Sequence, residues 1–326
     1  MSIESLHPAS PATRPAVSVL VPAKDEAENL PLFIQLCDDA FRSRPETYEV
    51  IVINDGSTDG SAKVLNELKA KYSFLRVIEH RSQRGIADAL RSGFLAARSN
   101  VLVFFPADLQ FKPEDIPRLV APILAGESDM VTGFKQGTYE KAFVSGIYNK
   151  LSRTLFHVPV RDLNNVKAYR REIMEEQPAR PDWHRYMIVL AAAQGYTVTE
   201  IPVPLYPRHA GKSKFGISRI PIGVLDMLAV WFELRFGRKP LLAFGMLGAG
   251  LFALGLLAGA ANVIMIATDH GLFAVRSVWT IIQTCLILGS IFFATGLLGE
   301  QIAVLRAEQR ELRRVLDDHR TASAGR

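Results

Sequence analysis

Two stretches near the carboxyl end restrict what this chain can become. Residues 241–268 and 278–299 contain no charged side chain. At 1.5 Å per residue the first would run roughly 42 Å as a helix, more than the ~30 Å hydrocarbon core of a bilayer. Both are expected to be transmembrane helices, and the short linker 269–277 makes them a hairpin. Arg235, Arg238 and Lys239 precede the first run, and Arg306, Arg310, Arg313 and Arg314 follow the second. The linker offers only Arg276 and His270. The excess of cationic residues outside the hairpin predicts an integral membrane protein with both termini, and the domain before the hairpin, in the cytoplasm.

The region before the hairpin has a different pattern. Strands are expected at 16–21, 48–53, 75–79, 101–105 and 130–132, each a short apolar run. Segments 30–41, 61–72, 84–97 and 113–125 have helical spacing. Such alternation indicates βαβ units and a mostly parallel sheet, so an α/β fold. Beyond it, Asp162 to Arg170 reads as a loop entering a short strand, 183–193 as a helix and 198–203 as another strand. Residues 1–15 are rich in Pro and Ser, lack the apolar core of a signal peptide and are expected to be a disordered tail. The expected organisation is a tail at 1–15, a catalytic-looking domain at 16–215, an amphipathic juxtamembrane segment at 216–239 that can lie in the membrane interface, the hairpin at 240–299, and a charged helical tail at 300–326. That tail carries a sparse stripe of Ile302, Leu305, Leu312 and Leu316, which suits a neighbouring subunit, the soluble domain or plain solvent. Gly255 and Gly259 suit close helix contact within the hairpin or between subunits, so a homo-oligomer stays open.

Composition excludes little. The net charge of +5 suits nucleic acid, anionic lipid or phosphorylated substrates alike. Cys37 and Cys285 are the only cysteines, too few and too far apart for a disulfide framework or a thiolate metal site.

Ligands in open α/β sheets bind past the carboxyl ends of the strands. That edge collects Lys24, Asp25 and Glu26, then DGSTD at 55–59, the basic segment 81–84, and ADLQ at 107–110. Neither GxxxxGK[ST] nor GxGxxG is present, so the edge is neither a P-loop nor a standard dinucleotide cradle. Asp108 can anchor a metal, or it can cap the helix expected near Pro113. The segment 55–59 suits a ligand and also a turn with a helix cap. The loop PRHAGKSKF at 207–215 is cationic and can hold a specific phosphate or anionic headgroups in general.

Taken in order, VLVPAKDEAEN at 19–29, VINDGSTD at 52–59, ADLQ at 107–110 with Pro113, Asp162 with Lys167 and Arg170, and Arg208 with Ser213, Lys214 and Phe215 resemble the inverting family-2 glycosyltransferases of the polyprenyl-phosphate type, the group of dolichol-phosphate mannose synthase. The resemblance covers about residues 16–236 and extends to the two spans. It implies a GT-A type, Rossmann-like domain and transfer of a sugar from a UDP- or GDP-sugar to a polyprenyl phosphate, with inversion. It further implies Mg²⁺ or Mn²⁺ held by Asp108 and Gln110, the catalytic pair, and a donor pocket of Pro22, Asp25, Glu26, Asp55 and Lys135. Lys141, Ser145, Arg208, Lys212, Ser213 and Lys214 would meet the acceptor phosphate. The implied partners are the nucleotide sugar, the lipid phosphate and the membrane, with no nucleic acid. The sequence departs from the family in three places. Pro106 stands where the first acid of the Asp-x-Asp motif is usual, Lys24-Asp25 replaces Tyr-Asn, and Asn164-Asn165-Val166 replaces a Gly-containing stretch. Two other readings predict differently: a hydroxyl-acceptor transferase, with Asp182 or His184 as base, and a non-catalytic membrane scaffold.

Overall fold

The computed structural model describes residues 14–136, 152, 154–156, 158, 160–163, 165–176, 183–210, 219–237, 239–268 and 272–324. The chain falls into two compact units, Met1–Val224 and Leu225–Arg326.

The first unit is a seven-stranded sheet. Its elements in chain order are β1 (Val17–Ala23), α1 (Leu30–Phe41), β2 (Tyr48–Asp55), α2 (Ser61–Lys71), β3 (Leu75–His80), α3 (Ile86–Ala96), β4 (Val101–Phe104), α4 (Ile116–Leu124), β5 (Met130–Gln136), β6 (Lys167–Arg170), α5 (Arg171–Glu175), α6 (Trp183–Ala193) and β7 (Val198–Pro204). The strand order is β3-β2-β1-β4-β6-β5-β7. Strands β1 to β4 are mutually parallel, and β6 runs antiparallel to both its neighbours, β4 and β5. The sheet is therefore mostly parallel, as the alternation predicts.

Apolar residues on both faces of the central strands explain why the sheet is covered on both sides. Val17, Val19 and Val21 of β1, Val50 and Val52 of β2, and Val101 and Val103 of β4 belong to one buried cluster with Leu30, Phe33, Ile34 and Cys37 of α1 and Ile116, Leu119, Val120 and Ile123 of α4. The alternate residues Leu20 and Ile53 meet α3, where a Cβ on Gly93 would come within 2.8 Å of Ile53 Cδ1. Glycine here lets the helix lie close against the sheet. Helix α1 presents its buried residues at helical spacing and carries Pro31 in its first turn, where no backbone N–H is required.

Residues 113–125 do not form one α-helix. Pro113–Asp115 is a 3-10 turn and α4 begins at Ile116. Pro117 has no N–H to donate to Pro113, so the first α-type bond is missing and the turn tightens.

The second unit contains α8 (Pro240–Ala267) and α9 (Leu272–Ala324), with the carboxyl-terminal part of α7 (Arg219–Phe236). Helices α8 and α9 pack together through glycines. A Cβ on Gly248 would come within 2.5 Å of Phe293 N, and one on Gly289 within 2.8 Å of Gly248 O. Both helices are long and apolar enough to cross a membrane. Leu256, Leu257, Ile264 and Ile287 are more than half exposed, unlike the residues of a soluble core helix. The linker is shorter than expected, because Leu272 is already helical. The charged tail is helical, and α9 runs unbroken into it from the apolar span to Ala324.

Candidate active site

The central strand order β3-β2-β1-β4 brings the loops after four parallel strands to one edge. The loops after β1 and β2 are fastened to one another. Lys24 Nζ donates to Gly56 O (2.9 Å), Asp25 N–H to Ser57 Oγ (2.9 Å), Glu26 N–H to Ser61 Oγ (3.0 Å) and Ala27 N–H to Asp59 Oδ2 (3.1 Å). Asp25 Oδ1 accepts the Thr58 N–H at 2.8 Å, and Asp25 itself sits at φ 53°. Asp25 and Glu26 are thus held in a shaped loop, with Pro22 just before it near the end of β1.

Asp55 is committed to the loop after β3. Its Oδ1 lies 2.8 Å from His80 Nδ1 and accepts the Arg84 N–H at 2.9 Å, and its Oδ2 accepts the Gly85 N–H at 2.8 Å. His80 Nε2 is in turn 2.9 Å from Ser92 Oγ. Asp55 therefore shapes residues 80–85, and its two oxygens already have partners. Gly56 lies under the same segment at φ 64°, and a Cβ there would come within 2.5 Å of Gln83 N. Gly56→Ala should lower stability by about 3 kcal/mol through strain and backbone clash. A fall in the unfolding temperature, with weaker nucleotide-sugar binding, is the expected result. An unchanged unfolding temperature would show that the segment yields freely.

Asp108 and Gln110 stand past β4, on a loop turned by Leu109 at φ 58°. Asp108 Oδ1 accepts the Gln110 N–H at 3.2 Å. The other carboxylate oxygen and the Gln110 amide oxygen meet one group, Arg208, whose Nη2 lies 2.9 Å from Asp108 Oδ2 and 3.1 Å from Gln110 Oε1. Tyr206 N–H donates to Gln110 O at 2.9 Å and brings the 206–210 segment across this loop. Burial raises the Asp108 pKa above the usual carboxylate range, and the Arg208 charge and backbone N–H groups only partly offset it. A carboxylate and an amide oxygen converging on one cationic centre is a hard-oxygen donor set, and it fits a divalent ion that takes the place of the guanidinium. Among the described residues, no group of three or more His, Cys, Asp or Glu side chains could hold a metal. Asp108 and Gln110 are the two side chains that meet the Arg208 guanidinium at this edge.

Lys135, near the end of β5, pairs with Asp162 at 3.3 Å. Lys141, Ser145, Lys212, Ser213 and Lys214 lie outside the described residues, as does Asp182. Lys167 acquires a definite place that spacing alone did not give it. In the sheet register it is opposite Phe104, the last residue of β4. It is buried, donates to His184 O at 3.0 Å, and desolvation pulls its pKa down to about 8. His184 is buried too, and desolvation with the nearby Lys167 charge lowers it to about 3.

A strand-end acid, two strand-end loops fastened to one another and a sheet of this order define a GT-A type domain. The fold is shared with glucosyl-3-phosphoglycerate synthase from Mycobacterium tuberculosis, solved with Mn²⁺, UDP and phosphoglyceric acid, at TM-score 0.54 and 19% identity over 68% of this chain and 78% of that one. The glycosyl transferase family 2 profile matches residues 18–174. An undecaprenyl-phosphate 4-deoxy-4-formamido-L-arabinose transferase of Pseudomonas fluorescens is 30% identical over 309 residues, covering 90% of this chain and 86% of the relative. A dodecaprenyl-phosphate galacturonate synthase of Rhizobium johnstonii is 29% identical over 299 residues, covering 88% and 87%. The chain belongs to glycosyl transferase family 2, in the group of the polyprenyl-phosphate sugar transferases.

Proposed function

We propose that this protein transfers a sugar from a UDP- or GDP-sugar to a polyprenyl phosphate, with inversion, at the cytoplasmic face of the membrane. The observation that carries the reading is the convergence of Asp108 and Gln110 on one cationic centre at the end of β4. The names of the relatives supply the acceptor class. Arg235 and Lys239 before the hairpin and Arg306 after it support cytoplasmic termini.

Asp25 and Glu26 would line the nucleoside side of the donor, and the 80–85 segment held by Asp55 would close it. Asp108 and Gln110 would hold Mg²⁺ or Mn²⁺, which when bound would act as a Lewis acid toward the departing diphosphate. An acceptor phosphate is largely ionised at pH 7 and needs no base, only cations to orient it against an anionic donor. Arg208 would supply one cation, and Lys212 and Lys214 follow it in sequence. A hydroxyl acceptor would need a base. His184 is a poor one, being buried and held neutral.

The direct test incubates membranes containing the protein with a panel of nucleotide sugars and polyprenyl phosphate, and weighs the lipid product. A sugar phospholipid from one donor is expected, whereas a glycosylated alcohol or no product from any donor would overturn the reading. A second expectation concerns Arg208. A cation entering between Asp108 and Gln110 must displace the guanidinium, so Arg208→Ala should tighten Mn²⁺ binding by about tenfold, or roughly 1.4 kcal/mol. Titration followed by Mn²⁺ electron paramagnetic resonance reads this without turnover. Unaltered affinity would mean the ion binds elsewhere.

A further inference from the structure

Helix α9 outruns its hairpin partner. Gly299 lies against Pro240, the first residue of α8, and a Cβ there would come within 2.8 Å of the proline ring. Beyond this point α9 continues to Ala324. Its ties to the rest of the second unit there include Glu300 Oε2 accepting the Leu241 N–H at 3.3 Å and an Arg306–Glu233 approach of 3.8 Å. A helix of 53 residues is about 80 Å long, far more than the ~30 Å apolar layer, so its last part must stand outside the membrane.

That part carries a narrow seam. Leu298, Ile302, Leu305, Gln309, Leu312 and Leu316 recur at alternating steps of four and three. Leu298 is 67% exposed, Ile302 52%, Leu305 58% and Leu312 63%. The spacing is the 3.5-residue repeat of a coiled coil, with Leu298, Leu305 and Leu312 at d and Ile302, Gln309 and Leu316 at a. We propose that this segment forms a parallel two-stranded coiled coil with a second copy of the chain.

Three observations select that partner. The β-branched a residue, Ile302, with Leu at all three d positions favours two strands, and a single polar a position, here Gln309, fixes register. Glu308 at g and Arg313 at the following e carry opposite charges, the pattern that complements itself between parallel copies. Copies inserted in the same orientation present their tails on one face and in one direction, and membrane anchoring raises their effective concentration. A helix continuous with its span is not free to lie flat on the bilayer.

The test uses the full-length chain carrying Cys285→Ser in native membranes. A d position in a parallel pair brings its Cα atoms within the ~7 Å that a disulfide requires. Under mild copper–phenanthroline oxidation, Leu305→Cys should give about five-fold more linked dimer than Ala307→Cys on the outer side of the helix. The Leu305→Glu, Leu312→Glu double variant should run as a smaller particle in nanodiscs than the unaltered chain. Equal linkage at 305 and 307, or an unaltered chain that is monomeric, would overturn the proposal and leave the seam to the soluble domain or the lipid surface.

Discussion

Asp108→Asn should lower transfer at saturating substrates by roughly 10³-fold while leaving the protein folded, the scale seen when one preorganised electrostatic group is removed from an active site. The substitution keeps the shape and an oxygen able to accept the Gln110 N–H, which now binds Asp108 at 3.2 Å. What it removes is the charge. With Pro106 in place of a first acid, no second carboxylate of that motif can take over. The same residue should contribute nothing to stability. Burial raises its pKa, and the Arg208 charge and the backbone N–H groups offset that only in part. A neutral amide relieves the cost of that burial, so the unfolding temperature should hold or rise. Product measured by mass analysis with Mn²⁺ present, beside a thermal melt, separates the two. Activity within about threefold of the unaltered protein would remove Asp108 from the machinery; a lost fold would make it structural instead.

Much of the fold is legible in the sequence because its elements are local. The spacing from Leu30 to Phe41 and from Trp183 to Ala193 defines two helices with those bounds. The strands reveal themselves as apolar runs because both faces of the sheet are covered. The departures come from single-residue effects. Pro117 converts the start of one helix into a 3-10 turn. No proline or glycine stands between Glu300 and Ala322, so the change from apolar to charged composition at residue 300 does not end α9.

The site is legible only in part, for a related reason. Asp108 can be picked out because a strand ends two residues before Pro106 and the acid follows at once. Arg208 is picked out as a phosphate contact, but its pairing with Asp108 is not legible, since it is 98 residues beyond Gln110 and arrives by way of the Tyr206–Gln110 backbone bond. Asp55 likewise looks like a ligand contact from its motif. In space its carboxylate meets His80, Arg84 and Gly85, partners that its motif does not announce. Motifs name the residues at the edge, but the long-range pairing among them shows only in the structure.

The amino-terminal edge of the sheet holds a buried acid whose loss should be costly. Glu49 is 1% exposed, and its two oxygens are saturated. Oε1 accepts Ser18 Oγ–H at 2.7 Å and Arg98 N–H at 2.8 Å; Oε2 accepts Arg76 Nη1 at 2.8 Å and Arg98 Nε at 3.0 Å. Glu49 thereby ties β1, β2, β3 and the turn after α3 together. Glu49→Ala should destabilise the domain by about 4 kcal/mol, because it leaves two guanidinium groups facing an emptied pocket. The penalty should depend on pH. Burial alone would raise the Glu49 pKa, but the bonds from Ser18, Arg76 and Arg98 outweigh it and hold the group below its ordinary 4.5. A carboxylate depressed on folding contributes stability that is present above its unfolded pKa and lost as pH falls through its folded one. The gap in unfolding temperature between Glu49→Ala and the unaltered protein should therefore be full at pH 7 and begin to close only below about pH 4.5. Melts in detergent at pH 7, 5 and 3.5 measure it. A gap that is the same at all three would mean the loss comes from the cavity rather than from the charge, and a gap that narrows would place the charge at the centre of the network. In either case the lesion lies at the end of the strands opposite Asp108, so nucleotide-sugar affinity below the melting range should stay as it was.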